Sequence, residues 1–335
     1  MSRHPASDTH PPPLTVGSTW SWLLARVAAI PIEWTWVSRR GFKVPRQDMV
    51  ERLEDIGACF VNGYMLALRS ASLADLDATL QHCQDADAGF VFEGAAMGVA
   101  MVDALTPGRR WFEPFVQGPA RAHEYMAWIG LGWALARLPV SPLRALARYS
   151  SINKWLALDG WGFHEGYFNW PRSVMRHRRP SSLAGDAACV FDQGLGRSLW
   201  FVCGAEIDAV AGAVAGFESG RRADLWAGVG LAAAYAGGLP AKDLLLLKAL
   251  SGDSAAALTQ GVVFAAQARR RAGTPAAHCE LACRQLLGLD AQAGAEIAIV
   301  NLPQGGDLAA YQRWRQNVQR SLRVLPVTRP RQVEA

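Results

Sequence analysis

The chain has 335 residues, 50% of them hydrophobic, with 34 Lys and Arg against 29 Asp and Glu for a net charge of +5. This is enough apolar material for a large core and too much for a disordered chain, and so small a charge excess is no nucleic-acid footprint. The six cysteines (Cys59, Cys83, Cys189, Cys203, Cys279, Cys283) form no CxxC pair and no tight framework, so they read as small buried apolar residues of a reducing compartment.

Residues 1–13 are polar and proline-rich, with Pro11 to Pro13 in a row, and read as a disordered tail without the layout of a signal peptide. Residues 14–42 form a tryptophan-rich segment. Its stretch from Trp20 to Val37 approaches the length that spans a bilayer, but Arg26, Pro31 and Glu33 interrupt it. Two readings stand for residues 14–37: a cap over the end of the folded body, or a contact with a membrane surface or a membrane-protein partner.

From residue 43 to 290 one pattern recurs. Glycines preceding small, apolar runs occur at Gly63, Gly94, Gly130, Gly160, Gly194, Gly228 and Gly261, spaced 31, 36, 30, 34, 34 and 33 residues apart with a mean of 33. A period near 33 is that of a helix-turn-helix repeat. Arg222-Ala-Asp-Leu-Trp226 followed by Gly228, Gly230 and Tyr235 comes close to the tetratricopeptide signature. The class expected is all-α: about seven tetratricopeptide-like hairpins in a superhelix or an α/α toroid. Helical patterns are expected near 48–70, 73–83, 88–105, 119–138, 141–157, 183–203, 205–217, 221–236, 240–250, 254–272 and 275–288. A C-terminal segment, 291–335, reads as a short extended piece at Ile297–Leu302, one helix near 307–322 and a frayed end. The basic runs Arg176-His-Arg-Arg179 and Arg269-Arg-Arg271 read as solvated caps and connectors.

These residues carry a resemblance. Arg40-Gly-Phe42, Phe92-Glu-Gly-Ala-Ala-Met-Gly98, Gly130-Leu-Gly-Trp-Ala-Leu-Ala136, Asp159-Gly-Trp-Gly-Phe-His-Glu-Gly166, Phe191-Asp-Gln-Gly-Leu-Gly-Arg-Ser-Leu-Trp200, Asp224-Leu-Trp-Ala-Gly228 and Gln260-Gly261 resemble an UnbL-like bacterial family, a domain of unknown function, over about residues 38–290. Members of that family occur in the gene cassettes that accompany enediyne polyketide synthases, beside a predicted membrane protein. The resemblance implies a role in maturing a long unsaturated carbon chain. It supplies no catalytic residues, so those must come from the chemistry.

The richest stretch is Leu158-Asp-Gly-Trp-Gly-Phe-His-Glu-Gly-Tyr-Phe168. An imidazole and carboxylates among aromatic rings have shifted pKa values suited to proton transfer, which makes Asp159, His164 and Glu165 the candidate catalytic groups. Trp161, Phe163, Tyr167 and Trp200 would shape a bound chain, with Arg197 holding a carboxylate, either Glu165 or Asp159. Glu93, Asp192, Gln193, Asp224 and Gln260 lie just before their anchor glycines, with Trp226 beside Asp224; equivalent positions of a solenoid share one surface, so these residues would line a common cavity. The plain alternative for each is helix capping or an architectural ion pair; Asp85 and Asp87 in particular read as caps. His123-Glu124-Tyr125 is a weaker candidate. His278 with Cys279 and Cys283 lacks the second ligand pair of a metal site, and neither a phosphate loop, a nucleophile elbow nor a Rossmann fingerprint occurs. No cofactor or metal is expected. The ligand expected is a hydrophobic polyene or prenyl-like molecule, bound by a cytoplasmic protein that is either free or peripheral to the inner membrane. The function expected is its cyclisation or isomerisation by proton transfer, in natural-product biosynthesis of the enediyne or polyene type. The other reading is a non-catalytic carrier or scaffold.

Overall fold

A computed structural model describes residues 25–324; the expected tail, the first part of the tryptophan-rich segment with Trp20 and Trp22, and the last eleven residues lie outside them. The described residues are all-helical, with no strand among them. Seven long helices carry the anchor glycines: α1 (Gln47–Arg69), α2 (Ala88–Leu105), α3 (Glu124–Arg137), α4 (Leu156–Phe168), α5 (Gly185–Val202), α6 (Ser219–Tyr235) and α7 (Ala255–Ala272). Each packs on the next in chain order, and two more, α8 (Ala291–Val300) and α9 (Leu308–Arg323), pack on α7.

The glycines are there because backbone meets backbone. A Cβ built on Gly130 would stand 2.1 Å from the carbonyl oxygen of Glu93, on Gly160 2.0 Å from that of Ile129, on Gly194 1.7 Å from that of Asp159, on Gly228 1.9 Å from that of Gln193, and on Gly261 2.0 Å from that of Ala227. From Gly130 onward each anchor glycine therefore faces the residue just before the anchor of the preceding helix, whereas Gly94 meets the carbonyl of Phe60, three residues before Gly63. The second glycine of the motif faces the other way, so that Gly132, Gly162, Gly196 and Gly230 meet the carbonyls of Ala157, Phe191, Leu225 and Leu258 in the following helix. Only hydrogen fits in these gaps. Small residues let the axes approach to the short end of the usual 8–10 Å range.

The chain also returns on itself. Arg46 and Arg52 of the α1 region donate to the carbonyls of Gly238 and Ala236 just after α6, and Arg269 of α7 donates to Ala86 before α2. Gly237 and Gly238, at φ +78° and +108°, make the turn that presents those carbonyls. The helix α2 is long and apolar enough to cross a membrane, but 83% of it is buried inside the body, so its apolarity belongs to the core.

Several local expectations are corrected. Ile297–Leu302 is not extended: most of it completes α8, which Asp290 caps by accepting from the Ala293 amide. The pattern at 141–157 is broken into Pro142–Ala147 and a 3-10 turn at Ile152–Trp155, because Ser150 and Ser151 interrupt it. A short helix, Phe112–Gln117, precedes α3, and Asp103 accepts the amides of Trp111 and Phe112 at its start. Asp87 does not cap α2. It takes both guanidinium nitrogens of Arg52, at 2.6 and 2.8 Å. Arg269 is not solvated: it is buried, donates to three carbonyl groups and stacks over the Tyr235 ring, while Arg270 and Arg271 pair with Glu296 and Glu124.

Replacing Gly194 by Ala forces a methyl group into the Asp159 carbonyl, and overpacking of this kind costs about 3 kcal/mol or more when no flexible side chain can yield. Gly212, in the exposed helix Ile207–Gly216, has open space at its Cβ position, so Gly212→Ala gains about 0.5–1 kcal/mol from helix propensity. Urea unfolding of the two variants should move in opposite directions; equal small effects would show that the glycine contacts do not hold the helices together.

Candidate functional site

The glycine contacts decide which side chains meet. A residue one before the anchor and a residue three after it are four apart, so they share one face of the helix. The residues before the anchors include Glu93, Asp159, Gln193 and Gln260; those after include Trp133, Phe163, Arg197 and Phe264. These faces converge on a buried polar belt. Arg197 donates through Nη1 to Asp159 Oδ1 and lies with Nη2 3.7 Å from Glu93 Oε1. Gln193 donates to Asp159 Oδ2 at 2.8 Å, Gln260 to Gln193 at 3.4 Å, and Gln319 of α9 to Gln260 at 3.2 Å. Trp133 Nε1 donates to Glu93 Oε1 at 2.9 Å. Glu93, Asp159, Gln193, Arg197 and Gln260 are all buried.

Two carboxylates thus share one guanidinium. Asp159 has both oxygens bonded, while Glu93 holds the more distant side of Arg197. Burial pushes the Glu93 carboxyl up to about 7, against the lowering effect of Arg197 and the Trp133 N–H, with Asp159 adding to the rise. Burial opposes the charge on Arg197, yet Asp159 and Glu93 together hold the guanidinium above its ordinary value.

Glu93 and Arg197 open onto a cavity of about 570 Å³ including its mouth. Phe60, Phe90, Trp133, Phe163, Tyr167 and Phe168 supply most of its aromatic wall, and Ile30, Trp34 and Thr35 from the segment before α1 close one side. The rings hold one another: Trp133 lies 4.4 Å from Phe60 and 5.2 Å from Phe163, and Phe163 stacks on Tyr167 at 5.9 Å. Arg197 sits over the Phe163 ring at 4.9 Å. The Tyr167 hydroxyl donates to the Thr35 carbonyl, so it is not free for chemistry.

Of the residues expected to line one cavity, Glu93, Phe163, Tyr167 and Arg197 line it. Gln193 and Gln260 stand behind it in the belt. Asp192 and Asp224 do not reach it. Asp192 is clamped by Arg221 through both oxygens and approached by Arg179, and Asp224 pairs with Arg315 of α9. Trp200 is buried with its N–H on the Gly237 carbonyl, Trp226 is buried away from the wall, and Trp161 packs edge-on against Phe191 at the half-exposed side of α4.

The expected catalytic trio is divided. His164 follows Asp159 by five residues, about 140° further round the helix, and so leaves the belt. Its ring packs against Phe168 at 4.9 Å and edge-on to Trp133 at 5.7 Å, with Nδ1 3.5 Å from Glu165 Oε1. Burial pushes its pKa down, with Glu165 opposing. Glu165 accepts from Asn169 at 3.1 Å. His164 and Glu165 form a pair behind Trp133, outside the cavity wall. Of the weaker candidates, His123 stacks on Phe92 at 4.1 Å, and burial lowers it to about 4; Glu124 accepts from Trp128 and Ser151. No cluster of three metal-ligating side chains occurs among the described residues. The lining rings Phe60, Phe90, Trp133 and Phe168 were missed in the sequence; the offset of Trp133 from Gly130, equal to that of Phe163 from Gly160, is the signal that finds one of them.

The chain matches the family described as Protein of unknown function (DUF1702) over residues 19–322 and belongs to that family. No curated protein and no solved structure matches it.

The belt has a pH signature. With its folded pKa near 7 against an ordinary 4.5, Glu93 makes the native state bind more protons than the unfolded chain in that interval. Its contribution to stability is complete below pH 4.5 and lost as pH rises through 7, by roughly 3 kcal/mol in all. His123 and His278, both lowered to about 4 by burial, act oppositely between about 4 and 6.5, so the test is a difference. Urea unfolding of wild type and Glu93→Gln from pH 5 to 8 should show wild type losing stability relative to the variant. Parallel curves would place the Glu93 titration elsewhere.

Proposed function

We propose that this protein binds a long, unsaturated hydrophobic molecule in the cavity beside the belt and moves a proton on it, with Glu93 as acid and base. The observation that carries the reading is a carboxyl group with a pKa near the operating pH, set on the wall of an aromatic cavity. In the protonated state its O–H bond breaks as a C–H bond forms at one end of a double bond. The cation so made faces ring quadrupoles at Trp133, Phe163 and Phe60. It collapses when the Glu93 carboxylate takes a proton from a neighbouring carbon, which gives an isomer; alternatively a second double bond first attacks it, which closes a ring and moves the cation to a new carbon, and the Glu93 carboxylate then takes a proton from beside that carbon. Atoms balance in both outcomes and no redox partner is required. Arg197, oriented by Asp159, keeps the carboxylate from becoming too basic to give up its proton. His164 and Glu165 have no part in this step.

The resemblance of its motifs to the UnbL-like family favours a substrate of the enediyne or polyene kind and a place in natural-product biosynthesis. The recurring glycine contacts, with the return of α1 onto the end of α6, favour hairpin repeats curled into a closed α/α arrangement around the belt. A second reading is a carrier that shields the chain, docked to a membrane partner through residues 14–37. The doubly bonded Asp159 favours it, since such a clamp also suits an architectural core.

A conjugated heptaene hydrocarbon incubated with the protein in heavy water separates the two. Wild type should bind it, by the change in its absorption band, and wash deuterium into it, by mass spectrometry. Glu93→Gln, which keeps an acceptor for the Trp133 N–H, should bind equally and exchange about a hundredfold slower or less. Binding without exchange in wild type would leave the carrier; equal exchange in both proteins would remove Glu93 from the chemistry.

A further inference from the structure

Two stretches of the chain without an acidic residue meet beside the mouth of the Glu93 cavity. The first, residues 34–47, carries Arg39, Arg40, Lys43 and Arg46; the second, residues 166–185, carries Arg172, Arg176, Arg178 and Arg179. Trp170 joins them: its Nε1 donates to the Arg40 carbonyl at 3.2 Å, and its ring meets Phe42 edge-on at 6.3 Å. Arg40 joins them again by donating to the carbonyls of Tyr167 and Phe168. The Arg178 amide donates to the Arg172 carbonyl at 3.1 Å, which folds the second stretch back and gathers its cations.

Three of these cations are committed. Arg40 holds the two carbonyls, Arg46 pairs with Asp48, and Arg179 reaches Asp192. Arg39, Lys43, Arg172, Arg176 and Arg178 are exposed, and their side chains make no hydrogen bond or ion pair among the described residues. Of the carboxylates beside the two stretches, Glu54 accepts from the Val37 amide and Glu165 from Asn169. Like charges gathered in this way repel one another until an anionic surface meets them.

Apolar side chains stand among the cations: Trp36 is 44% exposed and Met175 64%. The cavity opens at the same edge. Trp34, Gly57 and Phe168 are half-buried while the rest of its wall is buried, and the Trp34 and Phe168 rings lie 5.9 Å apart. Each of those two rings belongs to one of the two basic stretches. Exposed cations with a tryptophan and a methionine between them suit an anionic bilayer, where lipid phosphates take the charges and the apolar side chains enter the headgroup boundary. The apolar mouth between the stretches favours lipid over a soluble acidic partner, because a hydrocarbon then passes from bilayer to wall without crossing water.

We propose that this face docks on an anionic membrane surface, with the mouth between Trp34 and Phe168 turned to the lipid. The partner is the lipid itself rather than a protein, and most of the face lies beyond residues 14–37. Passage of an apolar ligand from the bilayer rests on the reading of the Glu93 cavity as its binding site. Docking does not rest on it and is measured without a ligand.

Flotation of the full chain with vesicles of phosphatidylcholine, alone or with about a third of phosphatidylglycerol, reads the docking directly. At about 0.1 M salt the protein should float with the anionic vesicles and stay behind with phosphatidylcholine; at about 0.5 M salt, where exposed charges are screened, it should be released. One basic side chain near such a surface is worth roughly fivefold in partitioning, so Arg172→Gln with Arg176→Gln should bind about twentyfold more weakly. Both positions are exposed, so the double variant should melt as wild type does. Arg313→Gln with Arg320→Gln removes the same charge from exposed positions on α9, which packs on the turn before α4, at the opposite end of that helix from the patch. That control should bind as wild type. Trp36→Ala should bind about tenfold more weakly through lost apolar burial. Glu93→Gln should dock as wild type, which keeps this test apart from that of proton transfer. Equal flotation with both kinds of vesicle, an equal loss in the two double variants, or no flotation at all, which would give the cations to a soluble acidic partner, would overturn the proposal.

Discussion

The contact on which this fold depends is that of a glycine with a carbonyl oxygen. From Gly130 onward each anchor glycine rests on the carbonyl of the residue just before the anchor in the preceding helix, and the second glycine of the motif rests on the following helix. Because that register repeats, the side chains one before and three after the anchors from Gly94 onward turn to the same interior. The polar belt is a consequence: Glu93, Asp159, Gln193 and Gln260 occupy the first position, and Arg197 the second. Where the same positions carry Ile129, Leu231 or Phe264, the interior is apolar, and these three side chains border a pocket separate from that of Glu93.

The belt's electrostatics follow from counting. Two carboxylates and one guanidinium are removed from water together, and one cation stabilises one carboxylate better than two. Asp159 has the short contacts to Arg197 and Gln193. Glu93 has the longer approach to Arg197 and a single Trp133 N–H, so desolvation prevails there and its proton is held to about neutral pH. The same residue types elsewhere behave differently. Asp192 and Asp224 each have an arginine to themselves, Arg221 and Arg315, and tie α5 to α6 and α6 to α9. Asp192 stands two residues before its anchor and Asp224 four before, and neither reaches the position one before it that Glu93 and Asp159 occupy.

Much of this was legible in the sequence, because a glycine period states which helices touch. The all-helical class, a carboxylate partner for Arg197 and the gathering of Glu93, Gln193 and Gln260 all follow from reading equivalent positions together; of the two partners open to Arg197, Asp159 takes it and Glu165 does not. What misled was local density. His164 and Glu165 stand in the most functional-looking peptide, but helical rotation carries them behind Trp133. Asp192 looked equivalent to Glu93 although it is two before its anchor rather than one, a shift of about 100° round the helix. Ile297–Leu302 reads as a strand by its β-branched residues, yet a capping Asp290 and packing against α7 make most of it helical. The wall residues Phe60 and Phe90 carry no period at all, since they come from turns of α1 and α2 that only the finished packing brings to the cavity.

The belt rests on Glu93 sharing Arg197 with Asp159 and retaining its proton near neutral pH. Infrared difference spectroscopy of the carboxyl C=O stretch, titrated from pH 5 to 9, reads this directly. A protonated-carboxyl band that titrates near pH 7, is absent from Glu93→Gln and shifts upward in pH when Arg197 is replaced by Gln would establish the belt as described. The loss of all protonated-carboxyl absorbance below pH 5.5, or a band unchanged by Glu93→Gln, would contradict it.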